Sequence, residues 1–136
     1  MRALSTALPT NKPVYQGEYY AFGGLTVDPC ALQPHMPIWI GGRTRPSLRR
    51  AVTLADGWCP FNVPIAAAAE WLRGWELPVG FEVVLPADKP LDPVKEPALI
   101  EQTLQTIAAA GTTTLSARFV HLALPQINGF RSFVTQ

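Results

Sequence analysis

One stretch, residues 37–58, decides most of what this chain can become. It reads as a strand, a glycine turn, a helix and the start of a second strand. Ile38, Trp39 and Ile40 are a short bulky run suited to a strand buried on both faces. Gly41 and Gly42 end that run and let the backbone turn tightly, or approach a ligand closely, with no Cβ in the way. Thr44 stands at the N-cap, Pro46 in the first turn and Ser47 one residue on. Leu48, Ala51, Val52 and Ala55 then recur at i, i+3, i+4 and i+7, one apolar helical stripe. Arg49 and Arg50 fall off the stripe and face water. Asp56 and Gly57 close the helix, and Trp58 opens the next strand.

A glycine turn that feeds a helix N-terminus favours an anion. The amides of Gly42, Arg43 and Thr44 point along the helix axis, the helix dipole adds to them, and the hydroxyls of Thr44 and Ser47 are near. Phosphate is the ligand class this arrangement suits. The same residues have a plainer reading, with Thr44 as a simple N-cap and the glycines serving the turn alone.

The rest of the chain repeats the rhythm. A strand runs over 58–61, and a helix over 64–73 has Trp71 and Leu72 on its buried side. Residues 74–80 connect to a strand at 81–85. The proline-rich loop 86–97 reads as too polar for core. Pro97 opens a helix whose stripe is Ile100, Leu104, Ile107 and Ala108, with Gly111 just past its end. A strand at 113–120 and a short terminal helix at 124–133 complete the series. Upstream, a helix end frays before Pro9 and Pro13, and residues 15–22 and 25–28 flank Gly23 and Gly24 as a hairpin. Pro29, Pro34 and Pro37 make the approach to Ile38 stiff and extended. This β-α alternation predicts parallel strands, in a doubly wound open sheet or half of a (β/α)8 barrel. Trp39, Trp58, Phe81 and Phe119 are the expected inward-facing residues.

Composition narrows the function classes. With 48% hydrophobic and 15% charged residues, the 136-residue chain has ample core despite 14 prolines. A net charge of +1 points to neither nucleic acid nor an anionic membrane. Two cysteines, Cys30 and Cys59, are too few for a disulfide framework or a structural zinc site, and no metal is expected. No apolar run approaches membrane-spanning length and no leader is evident, so a cytoplasmic protein is expected. In parallel α/β folds, functional residues gather at the C-terminal strand ends, here 41–44, 58–62, 86–89 and 120–122. His121 ends a strand and titrates near neutrality, so it is the candidate for acid–base chemistry. Trp58 reads as packing and Cys59 as a small buried residue; His35 has no assigned role.

The pieces Gly17-Glu-Tyr-Tyr, Leu25-Thr-Val-Asp-Pro, Pro34-His-Met-Pro-Ile-Trp-Ile-Gly-Gly, Leu48-Arg-Arg-Ala and Ala55-Asp-Gly-Trp-Cys-Pro occur in one order and spacing. In these the chain resembles the luciferase-like monooxygenase family, in particular its branch dependent on the deazaflavin coenzyme F420. The resemblance extends loosely through residues 80–86 and 113–120. Cys30 stands where relatives commonly carry a basic residue. The resemblance implies the C-terminal half of a (β/α)8 barrel. Residues 1–136 would form a single partial-barrel domain, with an N-terminal extension and hairpin over 1–36 and four βα units over 37–136. It implies an oxidoreductase acting by hydride transfer or monooxygenation on a small-molecule substrate, with F420 or alternatively FMN as cofactor. Gly41, Gly42, Arg43, Thr44 and Ser47 occupy the positions that would hold the cofactor's phosphate. A truncated chain is expected, with open sheet edges that call for a homo-oligomer or the missing barrel half. The rival expectation is a non-catalytic half barrel that binds only a phosphate or a partner.

Overall fold

Strand and helix periodicities alternate along the chain as the sequence leads one to expect. The computed structural model describes residues 1–120, 127, 128 and 130. Contacts divide the chain into two compact units, Met1–Ile38 and Trp39–Gln136.

The first unit holds helix α1 (Arg2–Ala7) and a hairpin of β1 (Tyr15–Gln16) and β2 (Ala21–Phe22). The hairpin turns at residues 17–20, where the Gly17 N–H donates to the Tyr20 carbonyl at 2.9 Å, and not at Gly23 and Gly24. Its register is set by Tyr15 opposite Phe22, whose rings stack 5.6 Å apart. The expected partner strand at 25–28 instead pairs with Asn11. The Val27 N–H donates to the Asn11 carbonyl at 2.8 Å, and the Asn11 side-chain amide returns a bond to the Val27 carbonyl at 3.1 Å.

The second unit runs β3 (Trp39–Gly42), α2 (Arg45–Leu54), β4 (Gly57–Pro60), α3 (Ile65–Leu72), β5 (Glu82–Pro86), α4 (Pro97–Ala109) and β6 (Thr114–Ser116). The four strands are parallel and lie side by side in sequence order. Sequential order without reversal puts successive crossover helices on the same side, whereas a doubly wound sheet needs a switch point. One core cluster confirms it. Leu48 and Ala51 of α2, Ile65, Ala68 and Leu72 of α3, and Ile107 of α4 pack with Trp58, Val83 and Leu85 from the strands. This is a partial βα barrel of the (β/α)8 type; among the described residues it does not close, and β3 and β6 are its edges.

Alternation assigns the two sheet faces. Ile40, Trp58, Val83, Leu85 and Leu115 turn toward the helices. Trp58 and Phe81 therefore belong to the helix-side core, contrary to expectation, and Phe119 packs in a second cluster with Leu91 and Ile100. The opposite face carries Trp39, Gly41, Cys59, Thr114 and Ser116, mostly small or polar. Gly57 begins β4 on this face and does not close the helix. A Cβ there would meet the Glu82 carbonyl and the Trp39 ring at 2.7 Å each.

Two boundaries differ from expectation. The loop 86–97 is partly core: Ala87, Leu91, Asp92 and Pro93 are buried, because Leu91 bridges in parallel to Phe119. Strand β6 stops at Ser116, so its C-terminal end precedes residues 120–122. Of the helix expected at 124–133, residues 127, 128 and 130 are described, and all are helical. At the base of the sheet, the hydroxyls of Thr113 and Thr114 donate to one carboxylate oxygen of Glu82. These bonds, Thr113's foremost, hold the Glu82 carboxyl below its ordinary value.

Candidate functional site

The glycine turn sits at the C-terminal end of β3, beside the end of β4. Gly42 pairs with Pro60 in register, and the Phe61 N–H donates to the Gly42 carbonyl at 3.3 Å. Gly41 is exposed, and a Cβ on it would find only ordinary contact, 3.5 Å from the Cys59 carbonyl and 4.0 Å from the Phe61 ring. Gly42 is different. Its φ is +149°, and the place of its missing Cβ lies 2.4 Å from Ser47 Cβ and 2.6 Å from Ser47 Oγ.

Ser47 lies behind the turn. It is 1% exposed, its hydroxyl donates to the Thr44 carbonyl at 2.7 Å, and it accepts the Trp58 indole N–H at 3.2 Å. The Ser47 N–H also donates to the Thr44 carbonyl, at 2.9 Å. Because C=O and N–H point oppositely across a trans peptide, holding the Thr44 carbonyl inward directs the Arg45 N–H outward. Thr44 is the N-cap in extended conformation, yet its exposed side chain makes no capping bond. Among the described residues, no hydrogen bond engages the N–H of Arg43, Thr44 or Arg45. The Arg43 side chain is exposed, whereas Arg45 is tied to Glu70 at 2.6 Å and lies 5.9 Å from the Trp71 ring centre. Arg49 and Arg50 are exposed on the solvent side, as the stripe predicts.

Next to the turn, at the C-terminal ends of β4, β5 and β6, opens a cleft of about 660 Å3. Cys59, Phe61, Asn62, Asp88, Ser116 and Arg118 contribute to its wall. Asn62 adopts φ +53°, a left-handed conformation that asparagine tolerates better than most residues. Asn62 and Asp88 fall within the strand-end ranges chosen from sequence; Ser116 and Arg118 do not. The signal that could have found them was the period-two alternation from Thr114, once the strand end was known. His121 lies outside the described residues. Among the described residues, no group of three or more His, Cys, Asp and Glu could hold a metal ion, and no helix is long and apolar enough to cross a membrane.

The model of the luciferase-like monooxygenase family matches residues 1–77, more than half of the chain and all of the glycine turn. The chain belongs to the luciferase-like monooxygenase family. That places it among oxidoreductases of the flavin or F420 type. The luciferase-like match takes in α2, β4 and α3, while β5, α4 and β6 lie beyond it. No curated protein matches the chain.

Proposed function

We propose that this chain is the C-terminal half of a luciferase-like oxidoreductase, with the phosphate of coenzyme F420, or alternatively FMN, held at the turn after β3. One observation carries the reading: the family match covers a turn whose outward amides and Thr44 hydroxyl have no hydrogen-bond partner among the described residues. Gly41 and Gly42 would give the anion access to the backbone. Arg43 and Thr44 would hold it by charge and hydroxyl. Ser47 would act behind them, fixing the Thr44 peptide. When bound, the cofactor supplies hydride transfer or oxygen activation. The chain's own part is to bind and orient it and to shape the mouth where a small-molecule substrate enters. His121 stays the candidate for moving a proton. The reading treats residues 1–136 as one partial-barrel domain of a cytoplasmic protein, with no role for metal, nucleic acid or membrane.

Gly41→Asp tests the turn without disturbing the core, since a Cβ there meets only ordinary contacts with the Cys59 carbonyl and the Phe61 ring. Flavin fluorescence titrations of FMN and riboflavin isolate the phosphate's contribution. Gly41→Asp should weaken FMN by more than ~tenfold and leave riboflavin unchanged, because a carboxylate would stand where the phosphate sits. If wild-type protein binds FMN no better than riboflavin, and F420 no better than its phosphate-free core, the phosphate assignment fails.

The open sheet favours a second reading alongside this one, in which the chain acts as a binding half barrel. The β3 and β6 edges present backbone groups that a closed barrel would pair. A second copy or the missing barrel half would supply those partners. Light scattering over a concentration series should give a dimer or larger; a monodisperse dilute monomer with a cooperative melt would remove the need for any partner.

A further inference from the structure

The mouth of the sheet holds a recognition element that the phosphate turn does not use. Thr114 and Ser116 point away from the helices, and Ala117 and Phe119 pack into the second core cluster. Alternation therefore returns Arg118 to the cleft side, beside Ser116. Asp88 reaches the same cleft from the run leaving β5, and Phe61 from the run leaving β4. Among the described residues, neither Arg118 nor Asp88 is in an ion pair. Both side chains are exposed, as is the Phe61 ring, while Val63 and Ala87 beneath them are buried. A cleft of about 660 Å3 is of the size that accepts small organic molecules.

We propose that this cleft recognises a small carboxylate-bearing substrate: Arg118 holds the carboxylate, Asp88 accepts a hydrogen bond from a hydroxyl or amine of the same molecule, and Phe61 lies against its planar body. A guanidinium presents a rigid fork of donors that matches a carboxylate's two oxygens. The charge count selects the ligand further. The one cation and one anion on the rim cancel, so a monoanion leaves a single uncompensated negative charge beside Asp88 and a dianionic phosphate leaves two, which favours the monoanion. Phosphate is thus left to the turn after β3. As a substrate class, the assignment rests on the oxidoreductase reading above. As a binding site, it stands on the cleft alone.

The test uses the purified chain with 4-hydroxybenzoate, its methyl ester, benzoate and 4-hydroxyphenyl phosphate, followed by ligand-observed NMR, and an FMN titration on the same samples. The acid should bind at least ~tenfold more tightly than the ester or the phosphate. Arg118→Ala should erase the preference for acid over ester, and Arg118→Lys should retain part of it, since the charge stays and the fork is lost. Asp88→Asn should reduce the advantage of 4-hydroxybenzoate over benzoate, since the charged acceptor for the hydroxyl is lost while both acids gain equally from the relieved repulsion. Thermal melts should not move, because both side chains are exposed. Equal binding of acid and ester by the wild type, or a preference that survives Arg118→Ala, overturns the proposal even where FMN binds. Tighter binding of the phosphate than of the acid overturns the carboxylate assignment. An acid preference with binding of neither FMN nor F420, the latter titrated in the same way, would sink the cofactor reading alone and leave the carboxylate site standing.

Discussion

Gly42→Ala should destabilise the second unit by about 2–4 kcal/mol. Two costs combine. The φ of +149° is poorly accessible to alanine, and the new methyl carbon would stand 2.4 Å from Ser47 Cβ. Ser47 has nowhere to go, because it is held between the Thr44 carbonyl and the Trp58 indole. Relief would mean rotating Ser47 and losing both bonds, or shifting α2 off the sheet. Gly41→Ala is the control, with only ordinary contacts at 3.5 and 4.0 Å, and should cost well under about 1 kcal/mol. Urea melts of the two variants decide it. Equal midpoints would mean that the turn relaxes freely and that Ser47 does not constrain it.

Trp58→Ala should cost about 3–5 kcal/mol, close to the whole stability of many domains, so the variant is expected to be largely unfolded. Trp58 is fully buried, packs 6.2 Å from the Trp71 ring of α3 at a tilt of 43°, and donates to Ser47 of α2. It thus joins β4 to both neighbouring helices. Trp58→Phe keeps most of the ring and loses the hydrogen bond, a change of about 1–2 kcal/mol. Far-ultraviolet melts should rank wild type, phenylalanine and alanine in that order. A phenylalanine variant as damaged as the alanine one would show that the indole N–H, and not packing, carries the effect.

The features that local chemistry controls were legible in the sequence. The stripe through Leu48, Ala51 and Val52, and the exposure of Arg49 and Arg50, follow from a 3.6-residue period with no help from the rest of the chain. Ser47 was not legible in the same way. Its place behind the turn depends on Trp58, eleven residues on, reaching back across the strand–helix layer. Leu91 was missed because its loop is rich in prolines and charges; only the Phe119 segment alongside explains its burial. Arg118 was hidden by a strand drawn too long, to residue 120, which moved the expected functional end past it. The hairpin was misplaced for a related reason. A glycine pair is a permissive turn signal, but the contact between Tyr15 and Phe22 settles which residues face one another.

The segment after β6 has one more implication. Leu91 donates to the Arg118 carbonyl at 2.7 Å, and Val120 donates back to the Leu91 carbonyl at 3.0 Å. These bonds give the backbone around Arg118 the fixity of a strand even though the strand proper has ended. A cation mounted this way surrenders little backbone freedom when a ligand arrives, so less of the attraction is offset by ordering. Mouth residues borne on unpaired loops would have to be immobilised at each encounter. The stitching between Leu91 and Phe119 is therefore a source of readiness, achieved in advance of any ligand.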